Sequence, residues 1–268
     1  MDDGSRGRID ADSITFVITS CGRFDLLDRC LASFLAYNTA PIRRYLLVED
    51  SGDHHIHEVV AKFDVPMEVI VNDPPLGQIA AIDRAYQCVA TPYIFHCEDD
   101  WRFFRSGFIE ESLLLLKHDP SITTVLCRRP GQNEINDLVY ENSPLQSIAH
   151  VLYRKPSPWL HPHWHGYAFN PGLRRLSDYE QFGSFSRLGH EIDASLYFKL
   201  RGRTVANLAK PACETSGEDR RLPKQSINRS RHALRRFVYA KWRYKLARVG
   251  RAFTSIRRKL KRSAVAKT

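Results

Sequence analysis

Apolar and polar positions alternate along the first 120 residues in two distinct rhythms. Residues 14–20, ITFVITS, are mostly β-branched or apolar, the pattern of a strand covered on both faces. In the following FDLLDRCLASFLAYN, Leu27, Leu31, Phe34 and Leu35 recur at helical spacing. RRYLLVEDSGD reads as a second strand running into acids and a glycine turn, HIHEVVAKF as a helix, and MEVIVND as a third strand. PLGQIAAIDRAYQCV predicts a helix entered through prolines and a glycine, and TPYIFHCEDD a fourth strand. SGFIEESLLLLKHDP predicts a helix capped by Ser106 and stopped at Pro120.

Strands that alternate with helices imply βαβ units, hence an α/β fold with a mostly parallel central sheet flanked by helices. In such sheets ligands bind beyond the carboxyl ends of the strands. That rule gathers Thr19–Arg23, Glu49–Asp53 and Glu98–Asp100 around one crevice. Residues 130–187 are less regular and rich in Pro, Gly, His and aromatics, as a shaped substrate region would be. A helix in HEIDASLYFKLRG and a short strand in RTVANL follow.

Charge divides the chain differently. Residues 220–268 carry 18 of the 40 Lys/Arg and none of the 30 Asp/Glu, so an acidic body of net −8 precedes a strongly basic tail. Leu234, Val238, Trp242, Leu246, Val249, Phe253, Ile256 and Leu260 recur in that tail at steps of three or four, which predicts a long amphipathic cationic helix or two helices with a bend near Gly250. Its expected partner is an anionic membrane surface, contacted through Leu234, Val238, Trp242, Val249 and Phe253. Packing of the tail on a protein is the competing reading. No RNA- or DNA-binding motif accompanies the basic residues, so nucleic acid is not the expected partner. The expected organisation is a polar segment 1–13, a domain 14–218 with halves at about 14–128 and 129–218, and the tail 219–268.

The six cysteines are scattered, without a CxxC pair, as in a protein with reduced thiols. The N-terminus is polar and acidic, unlike a signal peptide. No run approaches the roughly 20 apolar residues that span a bilayer. The expected location is the cytoplasm, peripheral at the inner face of the membrane.

Three adjacent carboxylates, Glu98, Asp99 and Asp100, end the fourth predicted strand. Adjacent acids repel, and at the end of a buried strand they need a cation, a helix N-terminus or amides beside them. Taken with the motifs around it, the chain resembles nucleotide-sugar glycosyltransferases of the GT-A fold, close to family 2, over roughly residues 14–210. FVITSCGRFDLLDRCLASF is similar to the opening strand, turn and helix of that family, LLVEDSGD to its VDDGSxD motif, and NDPPLGQIAAIDRAY to its N-x-G-x-x-x-A-x-N segment. HCEDDW falls where the family has a DxD-like motif, and GHEIDASLYFKLRG resembles the helix that carries its base.

The resemblance implies a transferase that moves a sugar from a nucleoside-diphosphate donor to a glycan or lipid-linked acceptor, with inversion, as in bacterial surface polysaccharide or glycolipid synthesis. It implies donor contacts at Thr19, Ser20, Arg23, Glu49, Asp50, Gly77, Asp83 and Asp99, and Glu191 as catalytic base. It also implies a divalent cation, Mn²⁺ or Mg²⁺, on Asp100 with Asp99 beside it. The family often has a histidine after the last core strand; here the chain reads Cys213 and Glu214, which makes Glu214 the substitute candidate for the metal. Trp164, His165, Asn170 and His190 are candidates for sugar or acceptor contact. His161, His163 and His165 alternate, but no fourth spaced ligand supports zinc. A nucleotidyltransferase would share the strands and acids, yet TSCGRFD is a poor match to its Gly-rich loop. A non-catalytic binding protein that uses the basic tail is the other alternative.

Overall fold

A computed structural model describes residue 10 and residues 13–130, 139–141, 148–153, 166–187 and 191–216, with backbone only at 139–141. Trp164, His165, His190 and the tail residues Leu234, Val238, Trp242, Val249 and Phe253 lie outside the described residues.

The first half follows the predicted rhythm. Strand β1 (Ile14–Ser20) leads into helix α1 (Phe24–Tyr37), then β2 (Arg44–Glu49), the short α2 (Ile56–Val60), β3 (Met67–Val71), α3 (Gln78–Gln87) and β4 (Tyr93–Glu98). A short β5 (Trp101–Phe103), helix α4 (Phe108–His118) and β6 (Ile122–Leu126) follow. The second half adds β7 (Val139–Glu141), β8 (His150–Tyr153), β9 (Gly172–Arg175), α5 (Leu176–Phe182), α6 (Glu191–Leu200), β10 (Thr204–Leu208) and β11 (Cys213–Thr215). One nine-stranded sheet runs β3-β2-β1-β4-β9-β6-β10-β8-β7, and β11 pairs with β5 apart from it.

Parallel pairing joins β3, β2, β1 and β4, and also β6 with β10. Between these blocks sits β9, antiparallel to both β4 and β6. This central strand lies in the stretch that looked irregular in sequence, because four residues are too few to show a period. Its Gly172 is required by space: a Cβ there would stand 2.4 Å from the Val125 carbonyl oxygen.

Two apolar layers cover the sheet. Phe16 and Phe95 face Phe34 of α1 and Phe108 of α4, with the Phe16 and Phe34 rings stacked at 4.0 Å. On the other face Val17 and Ile94 meet Tyr86 of α3, Tyr179 and Phe182 of α5 and Phe198 of α6. Alternate residues of β1 thus enter opposite layers, as a strand covered on both faces must.

The start of α4 differs from the sequence expectation. Gly107, at φ 79°, occupies the N-cap and no side chain caps the helix, so Ser106 does not serve as its cap. The left-handed turn at Gly107 places Ser106 one residue outside, where its carbonyl accepts from Arg105 Nη1 at 3.1 Å. Among the described residues no helix is long and apolar enough to cross a membrane.

Candidate active site

The carboxyl ends of β1, β2 and β4 lie side by side, with Ser20 opposite Glu49 and Thr19 opposite Glu98 in the ladders. The loops that leave these ends therefore meet at one edge of the sheet. At the first of them, Arg23 stands at the N-cap of α1 without capping it through its side chain. Its guanidinium turns to the end of β4 instead. Nε donates to Asp99 Oδ2 at 3.1 Å, Nη2 to Asp99 Oδ1, and Nη1 to Asp100 Oδ2 at 3.2 Å. Ser20 Oγ is 3.4 Å from Asp99 Oδ2. Asp99 is only 1% exposed, and burial pushes its carboxyl up to about 6 even against the opposing pull of Arg23.

Glu49, fully buried, binds the turns together. Its Oε1 accepts from the Gly22 and Ser51 amides at 2.8 and 2.9 Å, and among the described residues its Oε2 has no hydrogen-bond partner. Asp50 accepts from Asn72 Nδ2 at 2.8 Å and from the Leu76 and Gly77 amides at 2.8 and 2.7 Å. The carboxylate of Asp50 thereby shapes the 72–77 loop. Gly77, at φ 87°, presents that amide and starts α3, a conformation that favours glycine. Thr19 is buried at the end of β1.

Next along the chain, Gln78 Nε2 donates to Glu98 Oε1 at 2.5 Å. Burial pushes the Glu98 carboxyl up to about 8, and the charges of Asp100, Glu191 and Asp99 add to it while the Gln78 bond opposes them. Glu98 therefore feels both Asp100 and the more distant sequence candidate Glu191. Behind them Trp101 is 7% exposed and packs in the core, and the Asp100 carbonyl accepts from the Ser216 amide at 2.8 Å.

Glu191 is the first residue of α6, and its Oε1 accepts from the Phe169 amide at 2.5 Å. Burial raises its carboxyl, whereas the Phe169 N–H and the charges of Arg174 and Arg128 pull the other way. Asn170, beside Phe169, accepts from Arg128 Nε at 2.9 Å through Oδ1.

The structure thus brings Thr19, Ser20, Arg23, Glu49, Asp99 and Asp100 to one sheet edge. Two other sequence candidates have partners of their own. Asp83 accepts from Ser184 Oγ at 2.5 Å, from the Phe185 and Ser186 amides at 2.8 Å, and from the Tyr179 hydroxyl at 3.1 Å. Glu214 lies on β11 opposite Arg102 and ion-pairs with it at the exposed surface. Among the described residues no group of three or more His, Cys, Asp or Glu is arranged to hold a metal alone.

Gln78, Arg128, Arg174 and the Phe169 amide are the contributors that sequence reasoning missed. Only Gln78 carried a usable signal, as the first residue after the helix-starting glycine. A backbone amide, an arginine on β9 and an arginine just past β6 leave no local pattern.

Comparison with known proteins bears on this geometry. No curated protein matches the chain. Among solved structures, the mannosyltransferase PcManGT from Pyrobaculum calidifontis, in complex with GDP-Man and Mn²⁺, superposes with a TM-score of 0.55 at 14% identity, covering 83% of this chain and 59% of that one. GalNAc-T7 with UDP, GalNAc and Mn²⁺ superposes with a TM-score of 0.56 at 12% identity, covering 76% of this chain and 43% of that one. The chain spans less than two thirds of either structure, and the likeness is one of fold: a Rossmann-like GT-A sheet with flanking helices. The profile of glycosyl transferase family 2 matches residues 15–182. A match that runs from β1 to the end of α5, over more than half of the 268 residues, means that the chain belongs to glycosyl transferase family 2.

Proposed function

We propose that this chain is an inverting, metal-dependent glycosyltransferase. It would move a sugar from a nucleoside-diphosphate donor to a glycan or lipid-linked acceptor. The observation that carries the reading is the meeting of Asp99 and Asp100, bridged by Arg23, with Glu98 at the carboxyl end of β4. The two structures compared contain GDP-Man and UDP, which favours a donor of the same chemical class.

The donor set fits a divalent cation. All candidate ligands are carboxylate oxygens, which Mg²⁺ and Mn²⁺ prefer. Mutual repulsion at Glu98 and Asp100 is the electrostatic condition that a bound cation relieves. Asp100, with a side chain 22% exposed, is the first choice, and Asp99 beside it is held by Arg23. A bound cation would offset the negative charge that develops on the departing diphosphate.

The remaining steps belong to the chain's own residues. Thr19, Ser20 and the buried Glu49 line the nucleotide side, and Arg23 keeps Asp99 and Asp100 in place. Glu191 takes the proton of the acceptor hydroxyl as that oxygen attacks the anomeric carbon. The new carbon–oxygen bond forms opposite the breaking bond to the diphosphate, so the configuration inverts. The Phe169 N–H on Oε1 orients the carboxylate and leaves Oε2 for the proton.

The setting we favour is bacterial surface polysaccharide or glycolipid assembly at the cytoplasmic face of the membrane, with the basic tail on anionic lipid. A panel of nucleotide-sugars with Mn²⁺ or Mg²⁺, scored by thermal shift and by sugar transfer or donor hydrolysis, tests the reading. A metal-dependent response to one donor supports it; no response to any donor sinks it.

A further inference from the structure

Arg174 is a buried cation that the reaction above does not use. It lies on β9 in the middle of the sheet and is 3% exposed, yet among the described residues no carboxylate hydrogen-bonds to it. A guanidinium withdrawn from water without a hydrogen-bonded counter-ion is expensive, so its contacts must require that charge or that fork of donors. Those contacts converge on one short stretch. Nη2 is 3.1 Å from the Asn170 carbonyl and 3.4 Å from the Ala168 carbonyl. Nη1 is 3.5 Å from the Tyr167 hydroxyl, and the guanidinium carbon lies 5.6 Å from the centre of the Tyr167 ring.

The two carbonyls flank Phe169, whose amide donates to Glu191. The guanidinium thus holds the very peptide that carries the N–H meeting the carboxylate, through its Ala168 carbonyl, and the peptide after Asn170. Arg128 braces the same stretch through the Asn170 side chain. We infer that Arg174 is a positioning residue: it fixes residues 167–170 so that the Phe169 amide orients Glu191. The inference rests on the reading of Glu191 as the base.

Among the described residues, several groups act on Glu191. From β9 Arg174 and from the end of β6 Arg128 favour the carboxylate, as does the Phe169 N–H, while burial opposes it. Glu98 on β4, its carboxyl pushed up to about 8, and the Tyr167 hydroxyl also lie within its field. Two cations and one amide therefore oppose burial. Removing the most buried cation tips that balance toward the protonated form, which cannot accept the acceptor's proton.

Carboxyl-detected NMR of the full chain with labelled glutamate, in wild type, R174Q and R174K, tests this, with E191Q to assign the Glu191 signal. In R174Q the Glu191 titration midpoint is expected to rise by about one pH unit. Amide exchange at Phe169 is expected to accelerate about tenfold in the same variant. R174K keeps the charge but not the fork, so Phe169 exchange still accelerates while the midpoint rises less than in R174Q. An unmoved midpoint or unchanged Phe169 exchange in R174Q overturns the proposal. If R174Q does not fold, unchanged Phe169 exchange in R174K overturns it. Both readouts report on the 167–170 clamp without turnover. Full transfer by E191Q would separately remove the base assignment.

Discussion

Arg23 Nε lies 3.1 Å from Asp99 Oδ2, so a helix-capping position reaches across the sheet edge to neutralise an almost fully buried carboxylate. Removing the arginine leaves Asp99 in a dry site without its counter-charge. R23M is expected to lower unfolding free energy by about 3 kcal/mol, with R23K restoring part of it. Urea titration of the three proteins checks this; an R23M as stable as wild type would show that Asp99 needs no partner.

Glu191→Gln and Asp100→Asn are expected to reduce transfer by at least about 100-fold with the fold intact by circular dichroism. Burial raises the Glu191 carboxyl, so the acid limb of kcat/KM should lie above the ordinary glutamate value of about 4.3. The deprotonated base is the active form, and activity is lost as pH falls through that limb. A limb at or below the ordinary value would contradict the buried environment of Glu191.

His96 on β4 is 0% exposed, and among the described residues neither ring nitrogen has a hydrogen-bond partner. Burial, with Arg174 adding to it, holds its pKa well below the ordinary value. The unfolded chain therefore binds a proton below about 6.5 that the folded chain refuses, and stability declines as pH falls through that value. One such group contributes a slope of ~1.4 kcal/mol per pH unit. His96→Phe should remove that slope between pH 6 and 5, roughly the window set by the unfolded value; equal slopes would show that His96 protonates in the folded state.

Gly172 sits where the central antiparallel strand passes the backbone of β6. Gly172→Ala places a methyl 2.4 Å from the Val125 carbonyl oxygen, a contact with backbone rather than a movable side chain. A loss of about 2 kcal/mol is expected by denaturant unfolding. Gly107, with open space around its Cβ position, is the control for packing, since an alanine there meets only the left-handed backbone penalty.

The basic tail predicts flotation of the full chain with vesicles rich in phosphatidylglycerol and little flotation with neutral vesicles. Replacing Leu234, Val238, Trp242, Val249 and Phe253 by serine should abolish it. Equal flotation before and after the replacement would remove the membrane claim.

Much of the first half was legible because its signals are local. The β-branched run 14–20, the helical spacing of Leu27, Leu31 and Phe34, and the acids after LLV and YIFHC each fall inside a window that one element spans. Once those runs are known to be parallel, the carboxyl-end rule is enough to bring Arg23, Glu49 and Asp99 together. The partners of those side chains were another matter. Asp50 turned inward to three donors in the 72–77 loop and Asp83 to the 184–186 turn, pairings that depend on chain segments 22 to 103 residues apart.

The boundary between the two kinds of knowledge runs through Glu191 and Arg174. Side-chain period and charge alone determined the α/β class and the acidic sheet edge, and the family resemblance of GHEIDASLYFKLRG made Glu191 a candidate. Placement of Phe169 and Arg174 came from β9, a four-residue strand inserted antiparallel at the centre of the sheet. Its position is selected by packing between β4 and β6, not by local propensity, so no window of sequence encodes which carboxylate its arginine will serve.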